Sequence, residues 1–266
     1  VATSSPTVET CNGLDDDCDG ETDEDTGGLD ARTGIEWVCI AGGSFEMGSA
    51  AGEADEEVHP VEVPSFLMAR TEVTVAQYRR CVEDGGACSV PDAGEACNWG
   101  VEGRDDHPVN CVDWNQAAAY GAWAAGRLPS ESEWEYAARS GGRDQTYPWG
   151  DEAADCTRAV MDDGSGDGCG QGATWSACSK QPAGNSAQGL CDMAGNVWEW
   201  VEDWYGPYGE APSDGRARVG QAQYRVDRGG SWNITAGYMR AARRNGNPPS
   251  DRSDSLGFRV ARSADC

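Results

Sequence analysis

The stretch Arg228-Gly-Gly-Ser-Trp-Asn-Ile-Thr-Ala-Gly-Tyr-Met-Arg240 decides how the rest of this chain is interpreted. Aromatic planes beside arginine and asparagine forks are typical of surfaces that bind sugars or peptides. The alternative is that these arginines pair with the protein's own many carboxylates. The candidate ligand-binding residues are Trp198, Ser231, Trp232, Asn233, Tyr238, Arg240 and Arg243, with Thr235, Arg244 and Asn245 expected to lie beside them.

Length and charge limit the possible functions. The 266 residues suffice for one large domain or two modest ones with a substantial core. A formal net charge of -26 repels phosphate backbones and anionic lipids, so no nucleic-acid partner is expected. No run of residues resembles a transmembrane helix, so no membrane insertion is expected either. Divalent cations are natural counter-ions, although the acidity also fits a protein that is only kept soluble by its charge.

Twelve cysteines at irregular spacing indicate disulfides and an oxidising compartment. Because Val1 does not begin a signal peptide, we expect a mature chain, secreted or at the cell surface, whose leader has been removed. Reduced cytosolic thiols are disfavoured, since no zinc-type pair of Cys-x-x-Cys motifs is present. The expected bridges are at least one among Cys81, Cys88 and Cys97, a local Cys11–Cys18 bridge, and a Cys39–Cys266 bridge between the termini.

Residues 1–30 form an acidic segment that is too poor in apolar side chains to build a core. The segment contains a D-x-D-x-D-G pattern, in which alternating carboxylates around a glycine turn are suited to Ca²⁺. The twelfth position is Thr26 instead of glutamate, so a full EF-hand is not expected. A solvated acidic linker is the alternative. The expected calcium ligands are Asp15, Asp17, Asp19, the carbonyl of Glu21, and Asp23.

The chain from residue 31 to 266 is expected to form the main domain, with strands first and then three helices. Residues 36–40 and 42–48 suggest a hairpin. Thr74 and Ser130 begin capping boxes for helices over 75–83 and up to Arg139, and an alanine-rich helix is expected over 115–125. We interpret the glutamate-rich third helix as structural, because Trp134 and two alanines give it an apolar face.

Three segments carry a family resemblance: residues 228–232 with Gly257-Phe258-Arg259, residues 127–139, and residues 189–200. Together they make the region from about Ile35 to Arg262 similar to the formylglycine-generating enzyme (sulfatase-modifying factor) family. The resemblance implies an α+β fold of the elaborated C-type-lectin kind, with little regular secondary structure and with disulfides tying its loops.

The resemblance also implies a structural calcium ion near residues 189–200. Its ligands would be the side chains of Asp192 and Glu199 and the main-chain carbonyls of Gly195 and Val197, all hard oxygen donors. An arginine-paired Glu199 is the alternative. A second family calcium site would fall near the acidic loop 162–168, but Val160 stands where asparagine is expected. Whether this loop holds calcium or is a disulfide-tied surface loop stays open.

The catalytic chemistry of the family depends on two cysteines that bind copper, at the third and eighth positions after the serine. Counted from Ser231, these positions hold Ile234 and Met239, neither of which can form the thiolate that selects Cu(I). Copper is therefore not expected. Sulfoxide synthesis by relatives on the ergothioneine pathway needs an iron site with histidines, whereas this chain has only His59 and His107, each followed by proline.

The sequence thus favours a secreted, non-catalytic, calcium-binding protein of this fold. Its expected partner is an extracellular peptide or glycan, or another surface protein. The alternative is an oxidase that converts a sulfatase cysteine to formylglycine.

Overall fold

The computed structural model describes residues 11, 27–85, 87–94 and 96–264. Within these residues, short strands and three α-helices are joined by long irregular segments. The strands are β1 (Gly28–Leu29), β2 (Glu36–Ile40), β3 (Gly43–Met47), β4 (His59–Val63), β5 (Phe66–Ala69), β6 (Trp198–Trp204), β7 (Arg225–Arg228), β8 (Arg244–Asn247), β9 (Leu256–Phe258) and β10 (Ala261–Ser263). The helices are α1 (Val75–Glu83), α2 (Trp114–Trp123) and α3 (Glu131–Ala138).

The strands form three sheets in the described residues. One sheet has the order β1-β2-β5-β10, a second is the pair β3-β4, and the third has the order β8-β7-β6-β9. Neighbouring strands are antiparallel except β6 and β9, which run parallel with Glu199 beside Gly257. The C-terminal strands therefore fall into two sheets, since β9 joins β6 while β10 joins β5.

The predicted hairpin between residues 36–40 and 42–48 is wrong. Strand β2 pairs with β5, whereas β3 pairs with β4, so the chain changes sheets between Ile40 and Gly43. Gly42 permits this crossing, because a Cβ atom there would lie 2.5 Å from the carbonyl oxygen of Val63 and the amide of Ser65. Close backbone approach, and not a turn between paired strands, explains this glycine.

All three predicted helices are confirmed. The capping boxes of Thr74 with Gln77 and of Ser130 with Glu133 are both present, as the sequence predicted. The second helix begins at Trp114, one residue earlier than expected, because Asp113 caps it by accepting a hydrogen bond from the amide of Gln116 at 2.9 Å.

Helix α3 is buried along its whole length and is held by arginines from distant segments. Glu131 binds Arg244 through two hydrogen bonds of 2.8 and 2.7 Å. Glu135 accepts a hydrogen bond from Arg228 and forms an ion pair with Arg139 at 2.9 Å. Each buried carboxylate is therefore paired, which offsets the cost of removing it from water.

Five disulfides connect the described cysteines: Cys11–Cys39, Cys81–Cys88, Cys97–Cys111, Cys156–Cys169 and Cys178–Cys191. The expected bridge among Cys81, Cys88 and Cys97 is confirmed, but the expected Cys11–Cys18 and Cys39–Cys266 bridges are wrong, because Cys11 pairs with Cys39. This density of disulfides indicates an oxidising, extracellular or periplasmic environment. Within the described ranges, no helix is long and apolar enough to cross a membrane.

Two buried carboxylates generate a pH-dependent stability. Burial raises the pKa of Asp227 to about 7, although Asn245 and Asn247 donate hydrogen bonds to it. Burial and the nearby Glu131 charge raise the pKa of Asp203 to about 7. The folded state then binds more protons than the unfolded state between about pH 4 and about pH 7, so stability falls as pH rises through this window.

We predict that the free energy of unfolding falls between about pH 4 and about pH 7, with each group contributing at most about 1.4 kcal/mol per pH unit. Urea unfolding of the Asp227→Asn variant should show a smaller pH slope than wild type. The exposed Asp144 provides a control, and Asp144→Asn should keep the wild-type slope. Equal slopes in all three proteins would contradict the burial argument.

Candidate functional site

The segment after β7 turns sharply through two glycines before it reaches Ser231. Gly229 and Gly230 have φ angles of 95° and 79°, which side chains rarely adopt. A Cβ atom on Gly230 would also lie 2.8 Å from the sulfur of Met239. The turn is fixed against residues 195–196, since the Gly195 amide donates to Gly229 and the Trp232 amide donates to Asn196, both at 2.9 Å.

The two positions expected to bear copper-binding cysteines are packed among apolar groups. Met239 is fully buried in a small cluster, and Ile234 packs against the same cluster. The buried members of this cluster are Ala154, Ala159, Met161, Ala194 and Met239. An aliphatic side chain and a thioether in such a setting offer no thiolate, so the residues present do not fit a Cu(I) thiolate site.

No described cysteine is free to replace the missing pair. All ten cysteines in the described part of the chain are joined in the five disulfides. A disulfide sulfur carries neither the charge nor the lone-pair basicity of a thiolate ligand.

The predicted ligand surface is more buried than the sequence suggested. Trp198 and Trp232 are 9% and 7% exposed, and Ser231 is inaccessible. The Trp232 indole donates a hydrogen bond to the Asp254 carbonyl at 3.2 Å, while the Ser231 hydroxyl donates to Asn233 at 2.8 Å. The expectation of an open Trp232 plane is therefore corrected, because this side chain packs inward.

Tyr238 is the predicted aromatic residue that stays open to solvent, with 43% of its surface exposed. The Arg243 guanidinium lies 5.0 Å from the centre of its ring. Asn233 and Asn245 are half-buried, whereas Thr235 is exposed. Open access is thus concentrated on Thr235 and on the short helical turn that follows it, Ala236–Tyr238.

The arginines of the predicted surface are paired with the protein's own carboxylates. Arg240 makes two hydrogen bonds of 2.6 and 2.8 Å to the inaccessible Glu56. Arg243 lies 3.4 Å from Glu53 and 3.7 Å from Glu56, and Arg244 is buried against Glu131. The expectation of free arginine forks is corrected, because the acidic loop 53–57 and helix α3 already supply their partners.

The residues expected to bind calcium between 189 and 200 lie on the segment that leads into β6, with Glu199 on the strand itself. Asp192, with a φ angle of 54°, accepts a hydrogen bond from the Cys178 amide at 2.6 Å. Burial raises the pKa of Asp192 to about 6. The carbonyl oxygens of Gly195 and Val197 accept no hydrogen bond from the described residues, so both are available as hard ligands.

Glu199 has a different environment from the one the resemblance implied. Arg259 donates two hydrogen bonds of 2.6 Å to its two carboxylate oxygens, and the Trp134 indole donates a third at 2.8 Å. Glu199 is therefore paired with an arginine, which was the alternative to calcium binding, and both of its carboxylate oxygens accept hydrogen bonds. Three of the four expected donors thus keep an oxygen that accepts no hydrogen bond from the described residues, while both oxygens of the fourth are held by Arg259.

Of the two remaining acidic motifs, one lies outside the described residues and the other lies in the described loop 162–168. The N-terminal candidates Asp15, Asp17, Asp19, Glu21 and Asp23 lie outside the described residues. In the loop 162–168, Asp163 accepts hydrogen bonds from the amide and hydroxyl of Ser165 at 3.1 and 2.6 Å, which is typical of a local turn. The described part of the chain contains no group of three acidic, cysteine or histidine side chains arranged for a metal.

One buried residue that sequence analysis missed is Glu72, which connects the calcium candidates to the core. Its carboxylate accepts hydrogen bonds from the Asn196 side chain at 2.8 Å and the Val197 amide at 3.1 Å. Burial, together with the charges of Asp192 and Glu199, raises the pKa of Glu72 well above its usual range. No local motif marked this residue, because its partners are more than a hundred positions away.

Comparison with known proteins shows which class this architecture belongs to. Residues 25–264 match the family model of the sulfatase-modifying factor enzyme 1-like domain. The chain is 35% identical to a formylglycine-generating enzyme of Streptomyces coelicolor, with 86% of this chain and 89% of the relative aligned. The protein therefore belongs to the formylglycine-generating enzyme (sulfatase-modifying factor) family.

Other relatives share the domain without sharing one function. An inactive C-alpha-formylglycine-generating enzyme 2 of mouse is 40% identical over 62% of this chain and 52% of its own length. The structure of PvdO from Pseudomonas aeruginosa superposes with a TM-score of 0.75 and 30% identity, covering 89% of this chain and 97% of PvdO. Family membership thus establishes the fold, whereas the activity has to be inferred from the residues of the site.

The pairing of Arg240 with Glu56 predicts a large difference between two arginine substitutions. Arg240→Ala leaves the buried Glu56 carboxylate with only the more distant Arg243, and should lower the free energy of unfolding by about 2–4 kcal/mol. Arg216 is a matched control, since its side chain is 81% exposed and pairs with an exposed Asp214. Arg216→Ala should leave denaturant unfolding unchanged, and equal effects of the two variants would show that the Glu56 pair is not structural.

Proposed function

We propose that this protein is a secreted, non-catalytic member of its family that binds calcium and recognises an extracellular peptide or glycan. The observation that carries the proposal is the apolar packing of Ile234 and Met239 at the positions where thiolates would be needed. A scaffold kept without its reactive pair is suited to recognition, because its long loops can still present a specific surface.

The proposed contact surface is centred on Tyr238. This ring is exposed, and the Arg243 guanidinium beside it adds a planar cation at the same surface. Arg240, on the next turn, lines a cavity of about 560 Å³ together with side chains of the segment 139–151. An exposed aromatic ring next to an arginine-lined cavity supports recognition of a ligand with both apolar and polar faces.

One observation favours a second candidate function, the oxidase. The identity of 35% to a formylglycine-generating enzyme extends over most of both chains, so much of the scaffold around an active site is retained. The absence of a thiolate pair among the described residues weighs against this candidate, since the family's copper chemistry depends on that pair.

Calcium is proposed to bind at Asp192 with the carbonyl oxygens of Gly195 and Val197. The carboxylates of Glu72, Asp192 and Glu199 are buried close together, and Arg259 is the cation that interacts with them in the described structure. A bound calcium ion would neutralise a further part of their negative charge. Because bound calcium stabilises only the folded state, it should raise the unfolding temperature. A second calcium ion is proposed for the acidic loop of residues 15–23.

We predict that adding Ca²⁺ to chelator-treated protein raises the unfolding temperature, and that Asp192→Asn removes most of this rise. Asp17→Asn should lower the calcium stoichiometry in calorimetry but keep the rise that depends on Asp192. Asp144→Asn, at an exposed carboxylate, should behave as wild type. A wild-type protein whose unfolding temperature does not respond to Ca²⁺ would contradict the site at Asp192.

Recognition can be tested on glycan and peptide arrays in the presence of calcium. We predict selective binding that is lost in Tyr238→Ala, because this change removes the exposed ring and leaves the Arg240–Glu56 and Arg244–Glu131 pairs in place. Tyr224→Ala is the matched control, since Tyr224 is similarly exposed at 36% and lies outside the proposed surface. Binding that survives Tyr238→Ala would place the contact elsewhere, and arrays without selective binding would reject recognition of these two classes of ligand.

A further inference from the structure

A separate cleft lies between the segment after α3 and the loop 182–187. Its volume is about 370 Å³, within the range usual for small-ligand sites. It shares Gln145 with the cavity of about 560 Å³, but it does not include Tyr238, Arg240 or Arg243, which are the centre of the proposed contact surface. The lining residues that carry the argument are Arg143, Gln145, Trp149, Glu152, Arg158 and Asn185.

Trp149 gives the cleft a fixed aromatic wall. The rings of Tyr147 and Trp149 are stacked with centres 5.2 Å apart and planes inclined by 7°. The Trp149 indole also donates a hydrogen bond to the Glu152 carbonyl at 2.9 Å, which sets its orientation. Trp149 is half-buried, because Tyr147 covers one of its faces and the apolar cluster that contains Met161 packs against it. The part of the indole that lines the cleft is the surface on which a ligand can pack.

The charge of the lining differs from that of the whole protein. Two arginines and one glutamate line the cleft, although the chain carries a net charge of -26. Arg158 pairs with Glu152 at 3.0 Å, but the exposed Arg143 forms no ion pair with any described residue. An arginine without a carboxylate partner, in a protein with so many carboxylates, is suited to bind an anionic group of a ligand.

Two amide side chains supply hydrogen-bond acceptors. The Gln145 amide nitrogen donates to the carbonyls of Tyr147 and Pro148 at 2.8 and 3.0 Å, which fixes the side chain. The Asn185 amide nitrogen donates to the Gly189 carbonyl. The side-chain oxygens of Gln145 and Asn185 accept no hydrogen bond within the described ranges, so both can accept from ligand hydroxyl groups.

We propose that this cleft binds a saccharide that carries a carboxylate, such as a uronic acid residue. The C–H face of the pyranose ring stacks on Trp149, the carboxylate pairs with Arg143, and sugar hydroxyl groups donate to Gln145 and Asn185. A neutral sugar would leave the arginine without a partner, and an extended peptide would lack the flat C–H face that packs on Trp149. The site does not depend on the contact surface at Tyr238.

Calorimetric titration of the full chain with trigalacturonate tests this proposal. We expect millimolar or tighter binding, at least tenfold tighter than that of a neutral galactose trisaccharide. Arg143→Ala should weaken trigalacturonate binding at least tenfold without changing the affinity for the neutral sugar, and Arg143 is exposed, so the fold should be unaffected. Arg216→Ala removes the same charge away from the cleft and should keep the wild-type affinity.

Trp149→Phe gives a second measure, since a smaller ring should weaken binding of both sugars. Three results would overturn the proposal: no binding of trigalacturonate, equal losses in Arg143→Ala and Arg216→Ala, or binding of a carboxylate-terminated tripeptide that depends on Arg143 in place of the sugar. The last result would assign the cleft to peptides.

Discussion

The structure depends most on the buried ion pair between Glu199 and Arg259. Glu199 lies on β6, and Arg259 follows β9, so the pair joins adjacent strands of one sheet. Arg259 also donates to carbonyl oxygens of Ala69 at the end of β5 and of Cys191, and Trp134 of α3 donates to Glu199. One charge pair thus connects two sheets, a helix and a disulfide-bonded loop, in a domain with little regular secondary structure.

Buried arginine–carboxylate pairs also hold the segment that begins at Arg228. Arginines at 228, 240 and 244 turn inward to the carboxylates of α3 and of the loop 53–57. Such pairs are worth little compared with apolar packing, but removal of one partner is costly, because an uncompensated charge stays buried. The arginines of the segment therefore hold it in one conformation, while its Ile234 and Met239 side chains pack into an apolar cluster.

Much of the fold could be predicted from local sequence, and much of the site could not. The capping boxes of Thr74 and Ser130 located two helices, because caps are formed by residues three positions apart. The partners of Arg240 and Glu199 were missed as definite pairs, because Glu56 and Arg259 are 184 and 60 residues away. The same limit explains the wrong pairing of Cys11: spacing favoured Cys18, whereas the packing of β2 brings Cys39 to it.

The central proposal is that this protein has the family scaffold but not the copper-dependent chemistry. The most direct measurement is mass spectrometry of a sulfatase-type cysteine peptide after incubation with the protein, Cu(I) and O₂, with the Streptomyces coelicolor relative as the positive control. The account predicts that the peptide keeps its cysteine, as in a sample without protein. Catalytic conversion of that cysteine to formylglycine would contradict it.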